Sequence, residues 1–385
     1  MPHIDAIACL CYLVFVMRID NKPKYSYQDV FIKPGYSSLK SRSDADTTTN
    51  FLGLQLKIPV IVSNMDTVCE KEMALAAYQA GAIGALHRFM SIEDNVEHYK
   101  FVKNNGAECF CSLGVKDYKE RLKSLYDNGA RFFIVDIANA WCHHVELMMD
   151  YINKLSFRKE LKIVLGNVGT PEGAIALQKM GADAVKILIG SGSICTTKNT
   201  TGVNSPTFSC VSDTCSNPEL SIPVIADGGC KEIGDFAKAI GAGATLVMSG
   251  SFFAGCQETP PVVRVAEEIS RYKKILSHSY NESTSLFIKS LEKSIIPNEG
   301  IVKYRGMASF GSMKLQSDLL KDPGIMAATP EGKEIEVKVK GSVKEIIALI
   351  AGGLRSAMSY TNSRSIVEFQ RNVEFGIRHN SSIYA

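Results

Sequence analysis

The chain has 385 residues, of which 45% are hydrophobic and 22% are charged, and its formal net charge is +3. This length and apolar content suffice for one large α/β domain or two ordinary domains. The nearly balanced charge, without a block of lysine and arginine, argues against a nucleic-acid-binding groove. The 11 cysteines lack zinc-type spacing, so we expect reduced thiols in a cytoplasmic protein.

The amino-terminal segment differs from the rest of the chain. Ile7 to Met17 is apolar but too short to span a bilayer, and no lysine or arginine precedes it. We therefore predict that residues 1–16 are an upstream extension or a misassigned start. An amphipathic docking segment is the alternative.

Short apolar runs alternate with segments of helical periodicity from Lys57 onward, a pattern typical of βα units around a parallel sheet. The eight runs are 58–63, 83–87, 109–113, 132–136, 163–167, 184–187, 223–226 and 245–249. Eight such units predict a TIM (β/α)₈ barrel over residues 17–360, as a single domain. Residues 361–385 are then expected to form a polar C-terminal tail.

Polar residues cluster where the predicted strands end, which is where (β/α)₈ barrels place their functional groups. The clusters are Asn64–Thr67, His87-Arg88, Asp136–Asn139, Gly166-Asn167, Asp227–Gly229 and Gly250-Ser251. Any one of these residues could instead serve a turn or a helix cap.

The loop after the sixth predicted strand, Gly190–Lys198, carries Cys195 among glycines, hydroxyls and a lysine. We call this segment the cysteine loop. Glycines let the backbone bend tightly around a ligand, while nearby N–H groups and a cation favour the thiolate. We interpret Cys195 as a nucleophile, the alternative being an ordinary loop cysteine.

The loops after the seventh and eighth predicted strands are expected to hold a phosphate group, because glycine-rich backbone presents unpaired N–H donors. Ser193 could add a hydroxyl. Asp227 would repel a phosphate, so we expect it to accept hydrogen bonds from a ribose diol. The donors predicted in these two loops are Gly228, Gly229, Gly250 and Ser251. Alternatively, these glycines only turn the chain.

The carboxy-terminal third is less regular. Val262 to Leu291 shows helical spacing to which we assign no chemistry, and 303–309 contain a glycine turn able to close over a planar ligand. Residues 314–330, which we call the flap, are predicted to be mobile. Ser342 to Met358 is predicted to be the last barrel helix, with Ser342 as its N-cap.

The motifs GSGSICTTK, NMDTV, GNVGT, IADGGC, SGSFFAG, YRGM and PEGK together resemble those of the IMP dehydrogenase and GMP reductase family. The resemblance covers nearly the whole chain from about Tyr25. It implies a TIM barrel, usually tetrameric, in which Cys195 attacks C2 of a purine nucleotide and Thr197 and Glu331 relay protons. The substrate-binding residues that it implies are Ser193, Asp227, Gly228, Gly229, Gly250, Ser251, Tyr304, Gly306, Met307 and Ser309.

The same resemblance implies sites for a nicotinamide cofactor and for a monovalent cation. Lys333 is a candidate for the 2′-phosphate of NADPH, and equally a surface lysine. The backbone carbonyls of Gly190, Gly192 and Cys195 are implied ligands of a cation such as K⁺. The implied cofactor-binding residues are Asp136, Ala138, Asn139, Arg88 and Lys333.

The resemblance is stronger to the reductase branch than to the dehydrogenase branch. Dehydrogenases of this type carry an Arg-Tyr pair in the flap, and none occurs between Met313 and Glu331. NMDTV and the short connection after His87-Arg88, which leaves no room for an inserted CBS regulatory module, agree with a reductase. We expect NADPH-dependent conversion of GMP to IMP and ammonia, with oxidation of IMP to XMP by NAD as the alternative. Two further alternatives are a nucleotide-binding regulator without catalysis and another phosphate-binding barrel enzyme.

Several positions depart from the family's pattern. Ser191 stands where the family usually has proline, which is expected to loosen the cysteine loop. Ala140 replaces a usual glycine in a region that should meet the nicotinamide, and Arg305-Gly306-Met307 is closer to the dehydrogenase form. The segment 262–299 is longer than in typical reductases.

Overall fold

The structure, a computed structural model, describes residues 19–276 and 282–378, so the predicted extension 1–16 lies outside the described residues. The strands are β1 (Val30–Ile32), β2 (Thr49–Phe51), β3 (Leu54–Leu56), β4 (Val60–Val62), β5 (Ile83–Leu86), β6 (Cys109–Leu113), β7 (Phe132–Asp136), β8 (Lys162–Val168), β9 (Ala184–Ile187), β10 (Val224–Asp227), β11 (Leu246–Ser249), β12 (Ile301–Arg305), β13 (Glu334–Lys338) and β14 (Phe375–Ile377). The helices are α1 (Lys71–Gln79), α2 (Ile92–Asn104), α3 (Tyr118–Asp127), α4 (His143–Ile152), α5 (Pro171–Lys179), α6 (Thr197–Thr201), α7 (Thr207–Cys215), α8 (Ile233–Gly241), α9 (Pro260–Leu276), α10 (Glu282–Ser294), α11 (Phe310–Leu320), α12 (Val343–Tyr360) and α13 (Ile366–Asn372).

Strands β4 to β11 form a closed barrel of parallel strands, in which β11 returns to pair with β4. Each of the eight predicted apolar runs coincides with one of these strands to within a few residues. The predicted TIM barrel is therefore confirmed. The carboxyl ends of all eight strands meet at one face, which is where this architecture places its chemistry.

Alternating residues of the barrel strands point inward and outward, because successive side chains of a strand lie on opposite faces. Ile134, Ala184 and Ile225 belong to a buried apolar cluster that fills the barrel interior. Two residues further along the same strands come Asp136, Lys186 and Asp227, which begin a polar layer above the apolar one. The outward-facing residues join a second, larger core between the strands and the helices.

The hairpin formed by β2 and β3 closes the opposite end of the barrel. Phe51 and Leu56 of this hairpin are fully buried in the barrel-interior cluster, and the Phe51 ring lies 6.0 Å from that of Phe110. Since this end is filled with apolar side chains, the open face lies at the carboxyl ends of the strands.

Several helices begin at the residues that local chemistry predicts. Ser342 accepts a hydrogen bond from the Glu345 N–H at the start of α12, which confirms its predicted role as N-cap. Thr170 caps α5 in the same manner, and proline occupies the first turn of that helix. No helix in the described ranges is long and apolar enough to cross a membrane.

The segments after the barrel strands cover its carboxyl face. The predicted helical spacing of Val262 to Leu291 corresponds to α9 and α10, and β12 and β13 pair as an antiparallel ribbon. Between these two strands lie α11 and a 3₁₀ helix over Pro323–Ala327, so the flap comprises the second half of α11, this 3₁₀ helix and the residues around them.

The expectation of a polar tail after residue 360 is corrected for residues 361–378. Ser365 caps α13, whose Ile366 and Phe369 are buried, and this helix packs against α8. Strand β14 pairs with β1, more than 300 residues earlier in the chain. The few apolar residues of this polar segment are therefore the ones that attach it to the barrel, and residues 379–385 lie outside the described residues.

Candidate active site

A cavity of about 490 Å³ opens at the carboxyl face of the barrel. Its walls come from the loops after β4, β5, β7, β8, β9, β10 and β11, together with the segment after β12, the flap and the start of the PEGK motif. From the flap, the lining residues are Gln316, Ile325, Ala328 and Thr329. The flap therefore forms a lid over a site whose base is the barrel itself.

The cysteine loop brings a thiol and a hydroxyl together inside this cavity. The Sγ atom of Cys195 lies 3.1 Å from Oγ1 of Thr197, and both residues line the cavity. Thr197 is buried and begins α6, so its side chain is held in place by a short helix. This contact permits a proton to pass between the two side chains or a bound ligand.

Main-chain hydrogen bonds join the cysteine loop to the PEGK motif. Cys195 forms an isolated antiparallel bridge with Gly332, and the Thr196 N–H donates to the Glu331 carbonyl at 2.8 Å. The Lys333 N–H donates to the carbonyl of Ile194 at 3.0 Å. The Glu331 side chain lines the same cavity and makes no hydrogen bond or ion pair within the described part of the chain. Its carboxylate thus remains available to a ligand near the thiol.

The glycines of the loops after β10 and β11 are required by close packing. Gly229 has φ of +79°, and a Cβ there would lie 2.5 Å from Cγ2 of Thr207. A Cβ on Gly250 would lie 2.5 Å from Sδ of Met65 and 3.0 Å from the Tyr304 hydroxyl. Both loops therefore present bare backbone to the cavity, as phosphate binding requires.

Lys340 supports the second of these loops. Its ammonium group donates to the carbonyls of Ser251 and Phe252, at 3.0 and 3.1 Å. Burial lowers the pKa of Lys340 below its usual range. Lys340 thus fixes the main chain of this loop, in which the N–H groups of Gly250 and Ser251 donate to no other described residue.

A charged network forms the base of the cavity. The Lys186 ammonium donates to Asp136 Oδ1 at 2.7 Å, to Asp227 Oδ2 at 2.5 Å, and to the side-chain oxygen of Asn167. Asn64 donates to the second oxygen of Asp136 at 3.0 Å. Oδ1 of Asp227 receives no hydrogen bond from any described residue, so this oxygen is free to accept one from a ligand.

The contact between Lys186 and Asp136 favours the charged form of both groups. Burial alone would raise the pKa of Asp136, but the charge of Lys186 and its hydrogen bond outweigh burial, and the pKa is lowered. Burial alone would lower the pKa of Lys186, but the carboxylates of Asp136 and Asp227 raise it well above its usual range. Two anions and one cation therefore share the base of the cavity.

Arg88 adds a second cation to the cavity wall. Its guanidinium group lies 4.6 Å from the Phe89 ring, and its Nε is buried without a hydrogen-bond partner among the described residues. Burial lowers the pKa of Arg88. Arg88 lines the cavity, so its guanidinium group is a candidate for binding an anionic or polar ligand.

The segment after β12 is fixed to the loop after β4. The Arg305 guanidinium donates twice to Oδ2 of Asp66, at 2.9 Å from Nε and 2.5 Å from Nη2. The Asp66 N–H in turn points to the sulfur of Met307 at 3.4 Å. Tyr304, Gly306 and Met307 are thereby held at the cavity wall.

Most of the residues predicted from the sequence line this cavity, but three do not. Ser309 is fully buried and caps α11, accepting a hydrogen bond from the Ser312 N–H. Asn139 is exposed and accepts from the Trp141 N–H. Lys333 is exposed, and its main chain rather than its side chain joins the site. Those lining the cavity are Arg88, Asp136, Ala138, Gly190, Gly192, Ser193, Cys195, Thr197, Asp227, Gly228, Gly229, Gly250, Ser251, Tyr304, Gly306, Met307 and Glu331.

The structure adds Lys186 to the site, a residue that the sequence analysis did not single out. The available signal was a single lysine inside the apolar run 184–187, which a buried strand tolerates only when the charge is paired. Gly166 makes room for it, since a Cβ on Gly166 would lie 2.5 Å from Cβ of Lys186.

Comparisons with known proteins identify the family of this chain. The model of the IMP dehydrogenase / GMP reductase domain matches residues 24–286 and 290–384. GMP reductase 1 of Mus musculus is 33% identical over 372 residues, covering 93% of this chain and 96% of that protein. GMP reductase of Streptococcus agalactiae is 30% identical over 360 residues, with the same two coverages.

A solved structure has the same fold over nearly its whole length. It is GMP reductase from Trypanosoma brucei in complex with guanosine 5′-monophosphate, with a TM-score of 0.77 and 25% sequence identity. The alignment covers 94% of this chain and 96% of that chain. By its matched domain, its relatives and its fold, the chain belongs to the IMP dehydrogenase / GMP reductase family.

Proposed function

We propose that this protein is a GMP reductase, which converts GMP, NADPH and two protons into IMP, NADP⁺ and an ammonium ion. The observation that carries the proposal is the pair formed by Cys195 and Thr197, 3.1 Å apart in a cavity bounded by two bare glycine loops. The relatives named GMP reductase and the GMP complex of the matching structure support the substrate.

The nucleotide binds with its phosphate on the loops after β10 and β11. Gly228, Gly229, Gly250 and Ser251 supply backbone donors, and Ser193 and Tyr304 supply hydroxyls. Asp227 accepts hydrogen bonds from the ribose through its free Oδ1, while Gly306 and Met307 face the base. This arrangement places the purine over Cys195.

The chemistry begins with addition of the Cys195 thiolate to C2 of GMP. The bond from C2 to the amino group then breaks, and ammonia leaves as the proton relay of Thr197 and Glu331 protonates it. The product is a thioimidate between Cys195 and C2. Reduction at C2 and expulsion of the thiolate then give IMP.

The reductant is a nicotinamide cofactor, and we propose NADPH. When bound, NADPH supplies the hydride that reduces C2. Arg88 fits such a ligand, because it is a cation in the cavity wall whose Nε has no hydrogen-bond partner among the described residues. Asp136 and Ala138 would contact the cofactor beside it. Asn139 and Lys333 lie outside the cavity, so we propose for them at most contacts with the outer end of the cofactor.

Further properties of the family complete the proposal. A monovalent cation such as K⁺ would be held by the carbonyls of Gly190, Gly192 and Cys195. The Gly192 carbonyl already accepts the Cys195 N–H at 3.1 Å, and its second lone pair remains for a cation. We also propose a cytoplasmic homotetramer, as the family resemblance implies.

The decisive experiment compares two reactions of the purified protein in potassium buffer. With GMP and NADPH, we expect NADPH absorbance to fall while ammonia and IMP appear in equal amounts. With IMP and NAD⁺, we expect no NADH. Formation of NADH and XMP without any reaction of GMP would contradict the proposal and establish a dehydrogenase.

Glu331→Gln is expected to reduce kcat by about 100-fold, because the amino group is a poor leaving group until it is protonated. The Km for GMP should change little, since Glu331 is not expected to contact the phosphate or the ribose. Steady-state NADPH oxidation measures both constants.

A substrate whose leaving group needs no proton distinguishes this role from a structural one. With 2-chloroinosine 5′-monophosphate, Glu331→Gln should form the Cys195 adduct at nearly the parental rate, as followed by mass spectrometry. Glu336→Gln, on the exposed part of β13, is the matched control. Equal slowing of both reactions in Glu331→Gln would contradict the proton relay.

A further inference from the structure

Ser191 lies in the cysteine loop, between Gly190 and Gly192. Its hydroxyl donates to the main-chain carbonyl of Asp227 at 2.7 Å, and the residue lines the cavity four positions before Cys195. The expectation that serine loosens this loop stays a prediction, and the hydrogen bond to Asp227 is a restraint that acts against it. This hydrogen bond ties the Ser191 side chain to the end of β10.

The hydrogen bond lies where the cysteine loop touches the loop after β10. A Cβ on Gly228 would lie 3.1 Å from Oγ of Ser191 and 3.5 Å from the backbone of Gly192. The two loops thus pack with almost no space between them. The carbonyl that Ser191 engages belongs to Asp227, the residue that closes the strand and begins the nucleotide-binding turn.

The opposite side of the cysteine loop is held by the PEGK motif. The bridge between Cys195 and Gly332 and the bond from Lys333 N–H to the Ile194 carbonyl restrain the loop after its glycines. These bonds do not restrain Gly190 to Gly192, where the backbone turns with φ of +75° at Gly190. Ser191 supplies a restraint at that turn.

We propose that Ser191 is a positioning residue, which fixes the nucleophile loop against the nucleotide-binding loop and so aligns Cys195 with the bound purine. The kinetic part of this inference rests on the proposed function. Ser191 itself makes no bond to the reacting atoms. Its role is to limit the motion of the turn that leads to Cys195.

The test compares Ser191→Ala, which deletes the hydrogen bond, with Ser191→Pro, which restores a restraint without a hydroxyl. Ser191 is not among the residues with positive φ and its N–H donates to no described residue, which are two conditions that a proline requires. Ser356→Ala is the matched control, since it deletes a serine-to-carbonyl bond of 2.9 Å on α12, outside the cavity.

Hydrogen exchange of residues 190–196 and 228–230, measured by mass spectrometry, reports the restraint directly. We expect Ser191→Ala to speed exchange in both segments about three- to tenfold, the range for loss of one hydrogen bond. Ser191→Pro should speed exchange far less. Ser356→Ala should leave both segments unchanged.

The kinetic measurement determines kcat and the Km for GMP separately in each variant. Ser191→Ala should lower kcat about three- to tenfold with little change in Km, and Ser191→Pro should recover kcat to within about twofold. Unchanged exchange or unchanged kcat in Ser191→Ala would overturn the inference, as would a proline variant as impaired as the alanine variant. Exchange needs no turnover, so inactivity of the unmodified protein would contradict the proposed function alone.

Discussion

Replacing Cys195 with alanine is expected to lower turnover of GMP by about four orders of magnitude or more, while GMP still binds. The reaction is proposed to pass through a covalent bond to this sulfur, and no other side chain of the cavity supplies an equivalent nucleophile at that position. The phosphate and ribose contacts come from other loops, so the binding energy should largely persist. Steady-state kinetics and calorimetric titration with GMP measure the two properties.

Cys215→Ala is the control for this experiment. Cys215 is a partly buried thiol at the carboxyl end of α7 and does not line the cavity. We expect this variant to retain parental turnover. Measurable covalent adduct or parental kcat in Cys195→Ala would contradict the assignment of the nucleophile. Loss of GMP binding together with turnover would mean that the thiol shapes the site.

Lys186→Met is expected to have the second largest effect, because it removes the cation shared by Asp136 and Asp227. Leaving charges unpaired in a buried network costs about 3–5 kcal/mol of folding free energy. We expect a lower midpoint of thermal unfolding and higher Km values for both GMP and NADPH, since each carboxylate serves one of these ligands in the proposed function. Lys186→Arg keeps the positive charge, so its unfolding midpoint and its two Km values should change far less.

The pH dependence of kcat/Km in Lys186→Met distinguishes the loss of the positive charge from a loss of packing. In the unmodified protein the pKa of Asp136 is lowered, so this carboxylate stays ionised until the pH falls below its usual range near 4. Without Lys186, two neighbouring carboxylates repel each other and the pKa of one rises. The decline of kcat/Km toward acid should therefore begin at a higher pH than in the parent.

A double variant keeps this prediction testable if Lys186→Met folds poorly. Lys186→Met with Asp136→Asn removes one negative charge together with the cation, so much of the lost stability should return. GMP binding should return with it, because Asp227 then has no charged neighbour to repel it. A pH profile of Lys186→Met identical to that of the parent would contradict the charge-sharing role.

The order of strands and the identity of the fold followed from local sequence patterns. Each barrel strand is a short apolar run between helices, and each run is recognisable without its neighbours. The sequence also contains the two-residue spacing of inward-facing side chains, from Ile134 to Asp136 in β7 and from Ala184 to Lys186 in β9. Cys195, Thr197 and the glycine pairs could be placed in one cavity, because parallel strands bring their carboxyl ends to one face.

The tertiary structure decided those features of the site and the fold that need a contact between residues distant in the chain. Lys186 became part of the site only when β7, β9 and β10 met around it, since its two carboxylates lie 50 and 41 residues away. Strand β14 also depends on a distant partner, because its main chain forms a strand by pairing with β1. Ser309 and Lys333 lie next to site residues in the sequence, but neither lines the cavity. Proximity in the sequence alone therefore does not place a side chain in the site.

The sequence by itself thus determined the fold and the position of the candidate nucleophile, because both depend on local periodicity and loop composition. Only the tertiary structure decided how the site is charged and held. It paired Lys186 with Asp136 and Asp227, joined the cysteine loop to Glu331, and bound the Ser191 hydroxyl to Asp227. The physical reason is that hydrogen bonds and ion pairs between distant strands depend on ångström-scale distances, and hydrophobic periodicity carries no information about those distances.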